Sequence, residues 1–94
     1  MNKYSSAHIS ETNSFVAIYY ETPVFTYLSD SKTLIFKTGG FNTISTAKAI
    51  NKALNELKLD SLFRARKKDF SIYIQRLDTG EMHLVDKTLN VTLS

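Results

Sequence analysis

The chain has 94 residues, 43% of them hydrophobic, and carries a net charge of +3 with no cysteine. That length predicts one domain with a radius of gyration near ~12 Å, and a core too modest to favour a deep enclosed active site. The missing cysteines exclude disulfides, thiolate nucleophiles and cysteine-ligated zinc, while a pI of about 9.2 fits an anionic partner without requiring one.

Residues 1 to 14 are polar and lack periodicity, so they are expected as a disordered tail with His8 and Glu11 in water. Residues 15 to 94 are then the single α+β domain. The longest unbroken apolar run, Phe15 to Tyr20, is far shorter than the about 20 residues of a membrane span. It reads as a strand rich in aromatic and β-branched side chains. The polar N-terminus lacks an apolar signal region, and the expectation is a soluble intracellular protein without membrane contact. Pro23 cannot donate to a ladder, which leaves Phe15 to Tyr20 either as a separate edge strand or as an extended arm. Val24 to Leu28 and Thr33 to Lys37 read as a hairpin around Ser29-Asp30-Ser31-Lys32.

The stretch Thr38-Gly39-Gly40-Phe41-Asn42-Thr43-Ile44-Ser45-Thr46 then turns the chain from strand to helix. Paired glycines let the backbone take positive φ or pass close to another group at low steric cost. A helix is predicted from about Ser45 to Leu59, with Ser45 or Thr43 as N-cap. Thr46, Ile50, Ala53, Leu54 and Leu57 form one stripe at helical spacing, with Lys48, Lys52 and Asn55 opposite. Lys48 sits in the first turn, where the macrodipole disfavours a cation by ~0.3–1 kcal/mol. A bound anion would reverse that cost. Two readings of the segment follow: a tight strand-to-helix connection, or an anion site built from Gly39, Gly40, Thr43, Ser45, Thr46 and Lys48. The spacing is not that of a P-loop, because Lys37 precedes the glycines.

Beyond the helix, Leu62 to Arg66 and Phe70 to Leu77 are strand candidates joined by Lys67-Lys68-Asp69. Alternation places Phe70, Ile72 and Ile74 on one face. Asp78-Thr79-Gly80 reads as a hairpin loop with Gly80 in the left-handed position, Met82 to Asp86 as the return strand, and Leu89, Val91 and Leu93 as a short last strand. The fold class is therefore α+β: an antiparallel sheet of five to six strands, running hairpin, single helix, meander, with the helix on one face. The uncovered face is expected to display some of Phe25, Tyr27, Ile35 and Tyr73, according to register, with the aromatics Phe25, Tyr27 and Tyr73 as a homodimer or partner interface or as a platform for stacked bases.

Catalysis needs a nucleophile with a base, a carboxylate pair, or a metal. His8 and His83 are the two histidines, the carboxylates are scattered, and no H-E-x-x-H or G-x-S-x-G pattern occurs. The expectation is a non-enzyme with no cofactor and no metal. Arg64-Ala65-Arg66-Lys67-Lys68 is the densest basic run, and alternation puts Arg64 and Arg66 on one strand face. It reads either as a charged edge strand guarded against aggregation or as a rim that contacts phosphates.

The segment T-G-G-F-N-T-I-S-T-A-K-A-I-N, residues 38 to 51, resembles the signature of a family of small uncharacterised proteins from tailed bacteriophages. Thr38, Gly39, Gly40, Thr43, Thr46, Ile50 and Asn51 match it, while Phe41 stands for the usual Trp and Ala47 and Ala49 for a Lys and an Arg. Phe70 to Ile74 resembles the family's aromatic strand and Asp86 its late acidic residue, so the resemblance spans residues 22 to 88. It implies a phage accessory protein in the cytoplasm of the infected bacterial host, with no established activity. The residues themselves supply two expectations of function. The first, from the small size, the absent catalytic groups and the aromatic sheet face, is a protein that binds and modulates a host or phage protein. The alternative, from the pI, the Arg64–Lys68 run and the donors at the helix start, is one that binds nucleic acid through the basic strand and the helix N-terminus.

Overall fold

The computed structural model describes residues 3 to 93, which form eight strands and one helix. In chain order these are β1 (Tyr4–Ile9), β2 (Ser14–Tyr19), β3 (Thr22–Leu28), β4 (Thr33–Lys37), α1 (Ile44–Glu56), β5 (Phe63–Lys68), β6 (Ser71–Arg76), β7 (Met82–Leu84) and β8 (Thr88–Thr92). The strands divide into two antiparallel sheets, ordered β1-β2-β3-β4-β8 and β5-β6-β7. The fold is α+β, with α1 packed on the inner face of β2 and β3 and flanked by β5. The radius of gyration is 12.3 Å and the shortest principal extent 21 Å, as two layers of secondary structure require.

The stretch expected as a tail instead supplies an edge strand. Tyr4 pairs in register with Tyr19 and Ile9 with Ser14 across β1 and β2. Its anchor is Tyr4, buried in the core, whose hydroxyl donates to Glu56 Oε2 at the end of α1. Ser6 Oγ donates to Glu56 Oε1 at 3.0 Å, and Lys52 Nζ lies 4.6 Å from the centre of the Tyr4 ring. His8 and Glu11 keep the exposed positions expected of them.

Pro23 does not break the sheet either. The β2–β3 register slips between Ala17 and Tyr19, so that β3 carries an extra residue in a bulge beside Pro23. A bulge is where a missing N–H is tolerated. It also explains why consecutive residues Val24 and Phe25 are both buried. Phe25, expected on the open face, is therefore fully buried between Phe15 and Phe36, at ring distances of 6.1 and 5.3 Å. Tyr27 is half-buried and packs against the same core. Of the three expected interface aromatics, Tyr73 alone lies on a solvent-facing surface, that of the smaller sheet.

The helix starts as its sequence dictates. Thr43 is the N-cap, its hydroxyl accepting from the Thr46 N–H at 3.2 Å. Ile50, Ala53 and Leu54 are fully buried, and each of the two large side chains contributes roughly 1.5–3 kcal/mol of burial. The helix ends earlier than Leu59. Lys58 takes φ +59, Leu59 N–H donates to the Leu54 carbonyl at 2.8 Å, and Lys58 N–H to that of Asn55 at 3.0 Å. This is a Schellman ending with a lysine where glycine is usual.

Candidate functional site

The flanks of α1 hold two grooves of opposite character. The first, about 790 Å³, lies between the ends of β1, β2 and β3 and the start of the helix. Its walls carry Tyr19, Tyr20 and Phe41 beside the hydroxyls of Thr38, Thr43 and Ser45, and its two charged residues, Lys3 and Glu21, oppose each other. The hydroxyls are largely occupied with the fold itself. Thr43 Oγ1 lies 3.1 Å from Ser45 Oγ and 3.0 Å from Thr46 Oγ1, and Gly40 N–H donates to Thr38 Oγ1 at 3.3 Å. Thr38 and Thr46 are buried.

Gly39 is needed for two reasons. Its φ is +63, and a Cβ there would stand 2.5 Å from Thr22 Oγ1. Most of the 38–51 segment is accounted for in this way. Thr38 and Thr46 bond inside the turn, Thr43 caps, Ile50 fills the core, and Asn51 holds a neighbouring strand. The exception is Phe41, 64% exposed at the mouth of the first groove.

The second groove, about 260 Å³, runs between α1 and β5 and is lined by Lys48, Arg64, Arg66 and Lys67 around Ala47 and Asn51. Asn51 builds it. Its Nδ2 donates to the Ala65 carbonyl at 3.0 Å, and the Ala65 N–H donates to its Oδ1 at 2.7 Å. The side-chain amide thus stands in for a neighbouring strand along the outer edge of β5. Burial alternates along β5, with Phe63 and Ala65 inward and Arg64 and Arg66 exposed.

No carboxylate lines this groove. Ion pairs form away from it, between Arg76 and Asp78 at 3.2 Å and, once the imidazole is protonated, between His83 and Glu81 at 3.5 Å. Arg66 Nε donates to the neutral Gln75 side chain, and Lys67 Nζ to the Asp69 carbonyl at 2.6 Å. Arg76 instead spends its charge on Asp78, holding that carboxyl below its ordinary pKa. The groove cations therefore repel one another with no internal counter-charge, the arrangement that an external polyanion relieves.

The sequence-derived sites are thereby regrouped. Gly39, Gly40, Thr43, Ser45 and Thr46 stay together at the helix start, but Lys48 points to the other flank and joins the basic strand. Lys68 sits at the end of β5, in register with Ser71. Asn51 was not singled out as a site residue, although an asparagine in mid-helix is a poor helix former and a cue in itself. Among the described residues no helix is long and apolar enough to cross a membrane. Comparison with protein-family models, curated proteins and solved structures returns no match for this chain.

Proposed function

We propose that this chain is a non-enzymatic accessory protein of a tailed bacteriophage that acts in the cytoplasm of the infected cell and binds nucleic acid through the α1–β5 groove. The phage setting rests on the resemblance of residues 22 to 88. The binding rests on one observation: Lys48, Arg64, Arg66 and Lys67 converge on a groove that holds no carboxylate. Phosphate contacts of this kind position a strand without reading its sequence.

Fluorescence anisotropy with a labelled oligonucleotide across a salt series tests the reading. Four phosphate contacts to a single strand give a log–log salt slope of roughly −3, and Arg64→Ala/Arg66→Ala reduces it to about half. A slope near zero, or a double variant that binds as the parent does, removes the proposal.

A protein partner is the second reading, favoured by the outer face of the larger sheet. There Val16 stands opposite Thr26 and Thr26 opposite Ile35, all half-buried, and Ile18 is 37% exposed. A flat β-branched surface of this kind suits a host or phage protein, or a second copy of the chain. A stoichiometric protein retained from host lysate after nuclease treatment at high salt favours it over the first.

A further inference from the structure

The most exposed large apolar side chain of the described residues is Phe70, at 88%. It sits in the two-residue turn Asp69-Phe70 of the β5–β6 hairpin, between Lys68 and Ser71, which pair in register. Asp69 takes φ +58, and the chain reverses there instead of continuing β6. The sequence alternation that grouped Phe70 with the buried Ile72 and Ile74 therefore fails, and Phe70 stands in water at the tip of the most basic hairpin.

The outward face of the smaller sheet continues from this tip. Arg66 pairs with Tyr73 and Tyr73 with Leu84, while Arg64 pairs with Gln75 and Gln75 with Met82. Cross-strand neighbours on one face lie about 5 Å apart, so cations, an aromatic ring and two apolar side chains share one small surface. Met82 is 40% and Leu84 46% exposed, and Tyr73 is half-buried. No residue of these three strands that faces outward is acidic; the carboxylates next to them in sequence are Asp69 in the turn and Glu81, which lies 3.5 Å from His83 Nε2.

From this juxtaposition we infer that the protein selects single-stranded over duplex nucleic acid, with bases stacked on Tyr73 and Phe70 while the phosphates lie against Arg64, Arg66 and Lys68. The inference rests on the nucleic-acid reading above and adds the strand class and the base contacts. In a duplex the base faces are hidden, and this surface would set its apolar side chains against phosphates. In a single strand every base offers a π-face to an aromatic ring, whatever the sequence. Phe70 and Tyr73 are three residues apart, at most roughly 10 Å along the chain, and belong to the turn and to β6 respectively.

The test compares three probes of matched charge on the full chain: a thymidine octamer, a duplex, and inorganic polyphosphate, which has no bases. The octamer is expected to bind at least about tenfold more tightly than either of the others. Phe70→Ala, at a site too exposed to disturb the core, is expected to weaken octamer binding about tenfold and leave polyphosphate binding unchanged, with Phe70→Tyr restoring it. Equal affinity for octamer and polyphosphate, or an unaltered octamer affinity in Phe70→Ala, overturns the stacking inference but leaves the phosphate groove standing. Binding of none of the probes overturns both. Binding to vesicles of phosphatidylglycerol but not to the octamer reassigns the hairpin tip to a lipid surface and also overturns the inference.

Discussion

Two edge strands flank the same helix, and α1 restrains them by different means. On one side β1 is tied through side chains: Tyr4 and Ser6 both donate to Glu56. On the other side β5 is tied through its backbone, where Asn51 pairs with both polar groups of Ala65. The difference decides what each strand has left to offer. The hydroxyls of Tyr4 and Ser6 are consumed in holding β1. The tie to β5 uses no β5 side chain at all, so Arg64, Arg66 and Lys67 carry their charge along a strand fixed in place, Arg66 and Lys67 being bonded to neutral groups. An edge strand is an aggregation hazard that charge commonly guards, but here Asn51 already blocks part of the edge. Edge protection alone therefore leaves the clustering of four cations unexplained.

Breaking the β5 tie should have the largest effect. Asn51→Ala leaves the Ala65 N–H and carbonyl without their partner in a half-buried setting, a loss of roughly 2–3 kcal/mol. Urea denaturation measures it, and amide exchange at Ala65 localises it. Oligonucleotide binding is expected to weaken as well, because Lys48 and the β5 cations lose their fixed separation. Glu56→Ala breaks the other tie and sharpens the contrast. It removes the acceptor of two hydroxyl bonds, yet a carboxylate at the last helical residue also opposes the macrodipole. The net loss is about 1 kcal/mol, with oligonucleotide affinity unchanged. Should both variants lose binding equally, the two flanks are not functionally distinct.

The same contrast explains what could be foreseen. The β3–β4 hairpin, a hydroxyl cap at Thr43 or Ser45 and the Asp78-Thr79-Gly80 turn were legible because each is decided by neighbours in the chain; the structure selects Thr43. Gly80 takes φ +78, as its place in that loop demands. The strand β1 was not legible, because nothing local marks Tyr4 as a core residue. Its partner is 52 positions away. The division into two sheets was hidden for a related reason: β8 pairs with β4, across the whole of α1 and the smaller sheet, and alternation in Leu89 and Val91 names a face but not a neighbour. For the candidate site, the basic run and its face could be read from alternation alone. Its union with Lys48 could not, since it depends on which flank of the helix meets β5. Phe70 was misplaced because a non-glycine residue, Asp69, adopts the left-handed turn.

The smallest effect expected is on pH dependence, and it belongs to β1 alone. Burial, and then the hydrogen bond to Glu56, push the Tyr4 phenol well above its ordinary pKa of 10.0. The folded state thus holds the proton more tightly than the unfolded chain does. The contribution of the Tyr4–Glu56 bond is complete below pH 10 and is lost as the pH rises toward the folded-state value. Tyr4→Phe removes the bond, at about 1 kcal/mol near neutral pH, and with it this share of the alkaline loss. Stability measured by urea between pH 8 and 11.5 should therefore fall more steeply for the parent than for Tyr4→Phe, and the two curves should converge at the alkaline end. Parallel curves would mean that the phenol titrates as it does in water and that the grip of Glu56 on β1 is not a buried one. Because the groove on the far flank contains no tyrosine, oligonucleotide affinity at neutral pH should be the same for both proteins, and a difference there would couple the two edges through the helix.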